Sequence, residues 1–394
     1  MAAFVPSVKT SRRMMKYIFF IINVQYFVKV ATTFDIKVIL SKINSNIICL
    51  RGVFRALFRI LLSYLHLLMP MASYYSSNFY IMETVLITGG TGMIGKHLTE
   101  LLVLKGYNVI IVSRSEVMAR RHASISYAIW DVENQTIDKD AIERADYIIN
   151  LAGAGVADKR WTTARKKEIV ESRINSGKLI VNALQSVPNK IKCVVNASAI
   201  GWYGADPATS LQKGFTEEAP ADNQYLGKTC QLWEESIEPV ISLGIRLVKL
   251  RTGIVLSNNG GALVEFKKPL KFGIAAILGN GKQVVSWIHV EDLCRMFVYA
   301  IEQNKISGVY NAVSTNPITN EELTLTLAKT LRGKSYMSLH VPAFLLKIIL
   351  GEMSTEVLKS ATVNNSKILS TGFSFYYPTI EKALQDLKEN EPLG

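Results

Sequence analysis

"VLITGGTGMIG" (residues 85–95) decides the fold: a short apolar run, Val85-Leu86-Ile87, breaks into glycines at 89, 92 and 95 and passes at once into "MIGKHLTELLVLKG". Three apolar residues bounded by glycine read as a strand buried on both faces. The next segment places apolar residues at 94, 98, 101, 102 and 104 and stops at Gly106, the pattern of a helix with a C-terminal glycine. "YNVIIVSR" (107–114) supplies a second strand, which completes a β-α-β unit with the glycines in its first turn.

Each glycine has its own mechanical task in such a unit. Gly89 permits the tight exit from the strand, Gly92 lets backbone approach a pyrophosphate with no Cβ between them, and Gly95 lets the helix pack on the sheet. The helix entrance, with unpaired N–H groups and a partial positive charge, faces the phosphates. The expected phosphate-binding set is therefore Gly89, Thr91, Gly92, Met93, Ile94 and Gly95, and the expected ligand a dinucleotide. The end of the second strand selects which one. NAD enzymes place an acid about 20 residues beyond the turn, on the ribose 2′-OH. This chain has Ser113 and Arg114 there, a hydroxyl and a guanidinium suited to a 2′-phosphate, so the expected cofactor is NADP(H).

The composition, 49% hydrophobic and 20% charged over 394 residues, is that of a folded globular chain. The net charge of +13 is unevenly spread. Residues 1–82 hold five lysines, five arginines and one acid, Asp35, so that stretch carries +9 and the body +4. A mildly basic body demands no polyanion, and no nucleic-acid partner is expected. Four scattered cysteines and five histidines form no C-x-x-C or H-E-x-x-H pattern, so neither a disulfide framework nor a metal is expected.

Residues 1–82 differ in kind from the rest. Their apolar stretches, 17–28 and 53–69, are too short or too interrupted by arginine for a convincing membrane span. Arg51, Arg55 and Arg59 recur every four residues, opposite Leu57, Phe58, Leu61 and Leu62 on a helix. That pattern suits an import leader, a membrane-surface helix, or an extension ahead of a start at Met82. The expected location is mitochondrial or cytoplasmic, with membrane contact only through this leader.

The G-x-x-G-x-x-G spacing resembles the short-chain dehydrogenase/reductase superfamily. So do "YAIWDVEN" with Asp131, "ADYIINLAGA" ending in Asn150-Leu151-Ala152-Gly153, and "CVVNASAIGWYG". "LVKLRTGIVLS", "SWIHVEDLCRMFVYAI" and "GVYNAVS" are similar to later landmarks of its extended epimerase/dehydratase branch. The narrower resemblance is to family 39U, the "epimerase family protein" group, through Lys159-Arg160-Trp161-Thr162, Lys167-Glu168-Ile169, Ser172-Arg173, Trp233-Glu234, Arg251 to Leu256, Gly260 to Leu263, Ser286 to His289 and Gly372 to Pro378. It covers residues 83–390. It implies an adenine-edge role for Asp131 and NADP contacts at Ser113, Arg114, Leu151, Ala152, Glu168, Arg173 and Val255. Taken alone, Glu168 and Arg173 would read as a solvated helix face.

The implied fold is α/β: a Rossmann doubly wound parallel sheet over 83–257, completed by 285–314, with a small C-terminal α/β substrate or lid region from 258–284 and 315–394. Members of the superfamily pair a Tyr with a Lys four residues later and a Ser or Thr on the preceding strand. Here "QYLGKT" offers Tyr225 with Lys228 three residues on, a rotation of about 100° from the four-residue place. On the preceding strand the hydroxyl position falls on Ala199, with Ser198 beside it. Tyr225, Lys228 and Ser198 are the candidate catalytic residues. "NPITNEELTLTLAKTLRG" opens a helix capped by Thr319 with Glu322, and "VPAFLLKIILGEMSTEVLKSATV" reads as an amphipathic helix whose Leu, Ile and Met belong to the core. The expected activity is that of an NADP-dependent oxidoreductase on a small carbonyl, alcohol or sugar-like substrate, with homo-oligomerisation left open. A non-catalytic NADP-binding regulator or scaffold is the alternative.

Overall fold

The computed structural model describes residues 82–115, 122–207 and 214–391, so the expectations for residues 1–81 lie outside the described residues. The first half runs β1 (Thr84–Thr88), α1 (Met93–Leu104), β2 (Asn108–Ser113), β3 (Ile125–Asp131), β4 (Thr136–Ile137), α2 (Lys139–Arg144), β5 (Tyr147–Asn150), α3 (Thr163–Ser186), β6 (Cys193–Ala199), α4 (Tyr225–Ile237) and β7 (Arg246–Thr252). The rest runs β8 (Ile254–Leu256), α5 (Ala262–Leu270), β9 (Ile274–Leu278), β10 (Val284–Val285), β11 (Trp287–His289), α6 (Val290–Glu302), β12 (Gly308–Ala312), β13 (Ile318–Thr319), α7 (Asn320–Arg332), β14 (Met337–Val341), α8 (Ala343–Leu350), α9 (Met353–Leu358), α10 (Ser366–Ser370) and α11 (Ile380–Glu389).

Eight strands form the main sheet in the order β12-β7-β6-β5-β1-β2-β3-β4. Every pair is parallel except β3 with β4. The chain builds outward through β1, β2 and β3, then returns to the other side of β1 with β5, so a crevice opens between the carboxyl ends of β1 and β5. Open α/β sheets bind ligands at such a switch point. Val85, Leu86 and Ile87 have no exposed surface, as the unbroken apolar run requires. Val85 and Ile87 join the core under α1 and α6, while Leu86 joins the opposite core under α2 and α3. A third core, of Leu256, Leu263, Leu270, Ala275, Trp287, Leu323, Leu327 and Leu384 among others, holds the C-terminal region.

In α1 the buried residues are Gly95, Leu98, Thr99 and Leu102, whereas Leu104 is 85% exposed. One local expectation differs from the fold. The 341–363 segment is not one core helix. Gly351, at φ 62°, breaks it into α8 and α9, and Leu346 is the fully buried residue of α8. The Thr319–Glu322 capping box is present, with the hydroxyl accepting from the Glu322 N–H and the carboxylate from the Thr319 N–H.

Candidate functional site

The glycine turn sits at the carboxyl end of β1, and its geometry separates the three glycines. Gly89 has φ 69°, and a Cβ there would lie 2.9 Å from the Leu151 carbonyl oxygen. Gly95 could not carry a side chain at all, since a Cβ would lie 2.4 Å from the Gly89 oxygen and 2.5 Å from the Gly90 Cα. Gly95 thus lets the helix close onto the turn as Leu98 and Leu102 pack on the sheet. At Gly92 a Cβ would meet only the Gly89 oxygen, at 3.3 Å, a tight contact that a shift of a few tenths of an ångström relieves. Gly92 is the N-cap of α1 and offers no side chain to bond the helix entrance. The N–H groups of Met93, Ile94 and Gly95 are consequently left to whatever lies in front of them, beside exposed Thr91. A pyrophosphate fits that cradle.

A buried hydrogen-bond ladder fixes the rim of the crevice. The Thr88 hydroxyl donates to Asn150 Oδ1 at 2.6 Å, and Asn150 Nδ2 donates to Asn196 Oδ1 at 2.6 Å, joining the ends of β1 and β5 to the middle of β6. Leu151 and Ala152 continue from this ladder beside Gly89, and the Leu151 N–H donates to the Thr88 carbonyl at 3.1 Å. Thr88 and Asn196 carry no signal in sequence that would select them; only the strand register brings them to Asn150.

Ser113 ends β2, and its hydroxyl donates to the Ser115 carbonyl. Arg114 is exposed and has no ion-pair partner among the described residues. A groove of about 610 Å³ lies here, lined by Ser113, Ser115, Trp130 and Asp131 among others, within the size range of small-ligand sites. The Asp131 carboxylate accepts from the Glu133 N–H at 2.9 Å, the Asn134 N–H at 3.0 Å and Asn134 Nδ2 at 2.7 Å. The Asn134 bonds hold its carboxyl below the usual range. Its acceptors are mostly occupied by its own turn.

Helix α3 starts at its Thr162 cap and projects Glu168 and Arg173 very differently. Glu168 is exposed and paired with Arg165 at 2.7 Å; that bond lowers its carboxyl pKa, with Lys159 and Arg114 adding weaker pulls. Arg173 is buried, not solvated. Its guanidinium donates to the Ala154 and Ile169 carbonyls, each at 2.9 Å, and stacks over Trp233 at 4.9 Å. A Cβ on Gly153 would meet that guanidinium at 3.0 Å, so Arg173 props the Asn150–Ala154 segment from below. Val255, on β8, is half-buried, and its carbonyl lies beside the Gly260-Gly261 turn that packs on the Met93 sulfur.

Each of the three catalytic candidates has its own surroundings. Tyr225 begins α4 and donates its hydroxyl to the Lys166 carbonyl at 3.0 Å, with its ring edge-on to Trp161. Burial pushes its phenol up, against weaker opposing pulls from the Thr229 hydrogen bond, Arg173 and Arg165. Lys228 is exposed, while Thr229 occupies the four-residue position, buried, donating to the Tyr225 carbonyl at 2.6 Å. Ser198 is also buried, and its hydroxyl donates to Glu234 Oε1 at 2.7 Å. It belongs to a network the sequence reading missed. Arg251 grips Glu234 through Nε at 2.8 Å and Nη2 at 3.1 Å, stacks over Trp202, and donates to the Tyr203 hydroxyl, which donates to Asn311 at 2.7 Å. Strand register places Ser198 directly opposite Arg251.

A doubly wound sheet with a glycine turn at its switch point defines a Rossmann-type, nucleotide-binding protein of the short-chain dehydrogenase/reductase kind. The model of the NAD dependent epimerase/dehydratase family matches residues 85–231, and a domain of unknown function, DUF1731, matches residues 341–387. Epimerase family protein YfhF of Bacillus subtilis is 36% identical over 304 residues, which are 77% of this chain and 97% of that protein. Epimerase family protein SSP1921 of Staphylococcus saprophyticus is 37% identical over 311 residues, covering 78% and 99%. Human epimerase family protein SDR39U1, solved with NADPH, superposes with a TM-score of 0.68 at 27% identity, covering 78% of this chain and 99% of that one. UDP-N-acetylglucosamine 4-epimerase from Bacillus cereus, at 20% identity and a TM-score of 0.62, shares the fold. The chain belongs to the NAD-dependent epimerase/dehydratase family, in the group named epimerase family protein.

Proposed function

We propose that this chain binds NADP(H) at the carboxyl end of β1 and works as an oxidoreductase of the epimerase-like type on a small carbonyl, alcohol or sugar-like substrate. The observation that carries the cofactor reading is the uncapped entrance of α1 at Gly92, with exposed Arg114 at the end of β2 where an NAD enzyme would keep an acid. The related human protein solved with NADPH supports it. When bound, the nicotinamide would accept or deliver hydride. The chain's own part is to hold phosphates on the α1 N–H groups, to meet a 2′-phosphate with Arg114, and to keep the Leu151-Ala152 rim in place through Arg173 and the Thr88–Asn150–Asn196 ladder. Tyr225 is the residue proposed to donate the proton.

A second reading rests on a specific observation. The Tyr225 hydroxyl is bonded to a backbone carbonyl, Lys228 is in solvent, and Ser198 is committed to Glu234, an arrangement suited to an NADP-binding regulator or scaffold without turnover. Purified full-length chain assayed for NADPH oxidation over a panel of carbonyl compounds, beside Tyr225→Phe, distinguishes the two. Turnover that falls at least about 100-fold in the variant supports the enzyme, in line with loss of a general acid. Tight NADPH binding with no turnover on any compound supports the second reading, and no binding refutes both.

A further inference from the structure

The C-terminal region carries a group of exposed apolar side chains. In the parallel pair of β9 and β14, Met337 lies opposite Ile274, Leu339 opposite Ala276, and Val341 opposite Leu278. Side chains alternate along a strand and paired residues share a face. The Ala275 and Ile277 face is buried, so these six residues share the opposite, apolar face, on which Met337 and Leu339 are 69% and 55% exposed and the other four half-buried. Phe272, 84% exposed, stands at its end, where the Met337 N–H donates to the Gly273 carbonyl at 2.9 Å. After Val341 the chain enters α8. There Leu346 is buried and Phe344, Leu345, Ile348 and Ile349 are exposed, within an arc of about 140° at 100° per residue. Isolated exposed apolar residues are ordinary, but a contiguous group marks an interaction surface.

Charge decides what fits it. Lys271 precedes Phe272, Arg332 and Lys334 precede Met337, and Lys347 flanks the apolar arc of α8. All four are exposed and have no acidic partner among the described residues. The acids that follow α8 are already paired, Glu352 with Lys166 at 2.6 Å and Glu356 with Lys359 at 2.6 Å. A two-fold dimer through this face would set the cationic rim against itself, because a symmetric interface buries the same patch from both copies. An anionic lipid surface accepts both features, apolar side chains below the headgroups and lysines among the phosphates.

We propose that α8, the outer face of β9–β14 and Phe272 form a peripheral docking surface for anionic membranes. Among the described residues no helix is long and apolar enough to cross a membrane, so the contact is interfacial. The test uses the full chain with Cys49→Ser and Ile348→Cys, labelled at 348 with a nitrobenzoxadiazole fluorophore; Cys193, Cys230 and Cys294 are buried. A probe at this position reads local insertion whatever residues 1–81 do. Vesicles of phosphatidylcholine with phosphatidylglycerol should shift its emission to the blue, and phosphatidylcholine alone should not. Lys334→Glu with Lys347→Glu should weaken partitioning at least about 20-fold, from the loss of two surface lysines. NADPH binding by that variant verifies its fold. Equal response to both vesicles, no response, unchanged partitioning of the charge-reversed chain, or a blue shift that grows with protein concentration without vesicles would each overturn the proposal, the last in favour of a second copy.

Discussion

Replacing Gly92 and Gly95 by Ala, one at a time, separates what the turn does for the fold from what it does for a ligand. At Gly92 the backbone has φ −73° and ψ 175°, a region open to every residue, and the added methyl would come no closer than 3.3 Å to the protein. Gly→Ala at such a site also lowers unfolded-chain entropy, worth about 0.4–1 kcal/mol. Stability should therefore change by less than about 1 kcal/mol. The methyl nevertheless stands where phosphate oxygens would approach the α1 N–H groups, and overfilling a close contact costs about 1–3 kcal/mol. NADPH should bind roughly 5- to 150-fold more weakly, at about 1.4 kcal/mol per tenfold. Gly95→Ala behaves differently. Its methyl would sit 2.4 Å from the Gly89 oxygen, so the turn or the helix must move by roughly an ångström, and overpacking of about 1–3 kcal/mol outweighs the entropic gain. It should lose both stability and NADPH binding, with a midpoint lowered by a few degrees. Thermal melts and fluorescence titration with NADPH read the two effects. A Gly92→Ala chain that binds NADPH within twofold of the unaltered one, or melts as low as Gly95→Ala, would refute the assignment of tasks.

Arg114→Asp should weaken NADPH at least tenfold while leaving NADH nearly unchanged, since one charge-assisted contact to a 2′-phosphate is worth about 1.5–3 kcal/mol; paired titrations check this. Glu234→Gln should destabilise the chain by about 3–5 kcal/mol in urea unfolding, because buried Arg251 loses its counter-charge; the exposed Glu235→Gln serves as control, within about 0.5 kcal/mol. His289 is held neutral by burial, its pKa lowered from 6.5 to about 4 although Asp386 stands 3.3 Å away. Between those values the unfolded chain binds the proton and the folded chain does not. Stability should therefore fall as pH drops from 6.5 toward 4, by up to about 3 kcal/mol, and His289→Gln should flatten that slope in urea melts at each pH.

What was legible in the sequence was whatever a local pattern encodes. The run 85–87, the glycine spacing and the Thr319–Glu322 box each report neighbours within one turn or strand, and each appears in the fold. The apolar spacing of 341–363 does not report the exposed face of α8, because such spacing says that a face exists, not that something covers it. The Ser198–Glu234–Arg251–Tyr203–Asn311 network was out of reach because its members are up to 113 positions apart and meet only through strand register and the packing of α4 on the sheet. The buried seat of Arg173 under Gly153 depends on the path of the 150–161 loop, which no periodicity reports.

The two ends of the crevice are built on different physical terms. At the proposed phosphate end, binding would depend on backbone N–H groups and a missing Cβ, properties of chain geometry that one short strand-turn-helix supplies by itself. At the proton-transfer end, chemistry would need side chains from β6 and α4 to converge, and here a single residue of helical phase decides the outcome. Thr229 takes the buried position one turn after Tyr225 and Lys228 turns to solvent, so the cations nearest the phenol come from α3 instead: Arg173, Arg165 and, over the ring face at 5.4 Å, Lys166. Burial outweighs their pull, and the phenol keeps its proton more firmly than a free tyrosine. If Tyr225 transfers that proton, the lowering of its pKa must come with substrate or cofactor in place, from charge that the closed crevice brings to it rather than from a lysine on its own helix.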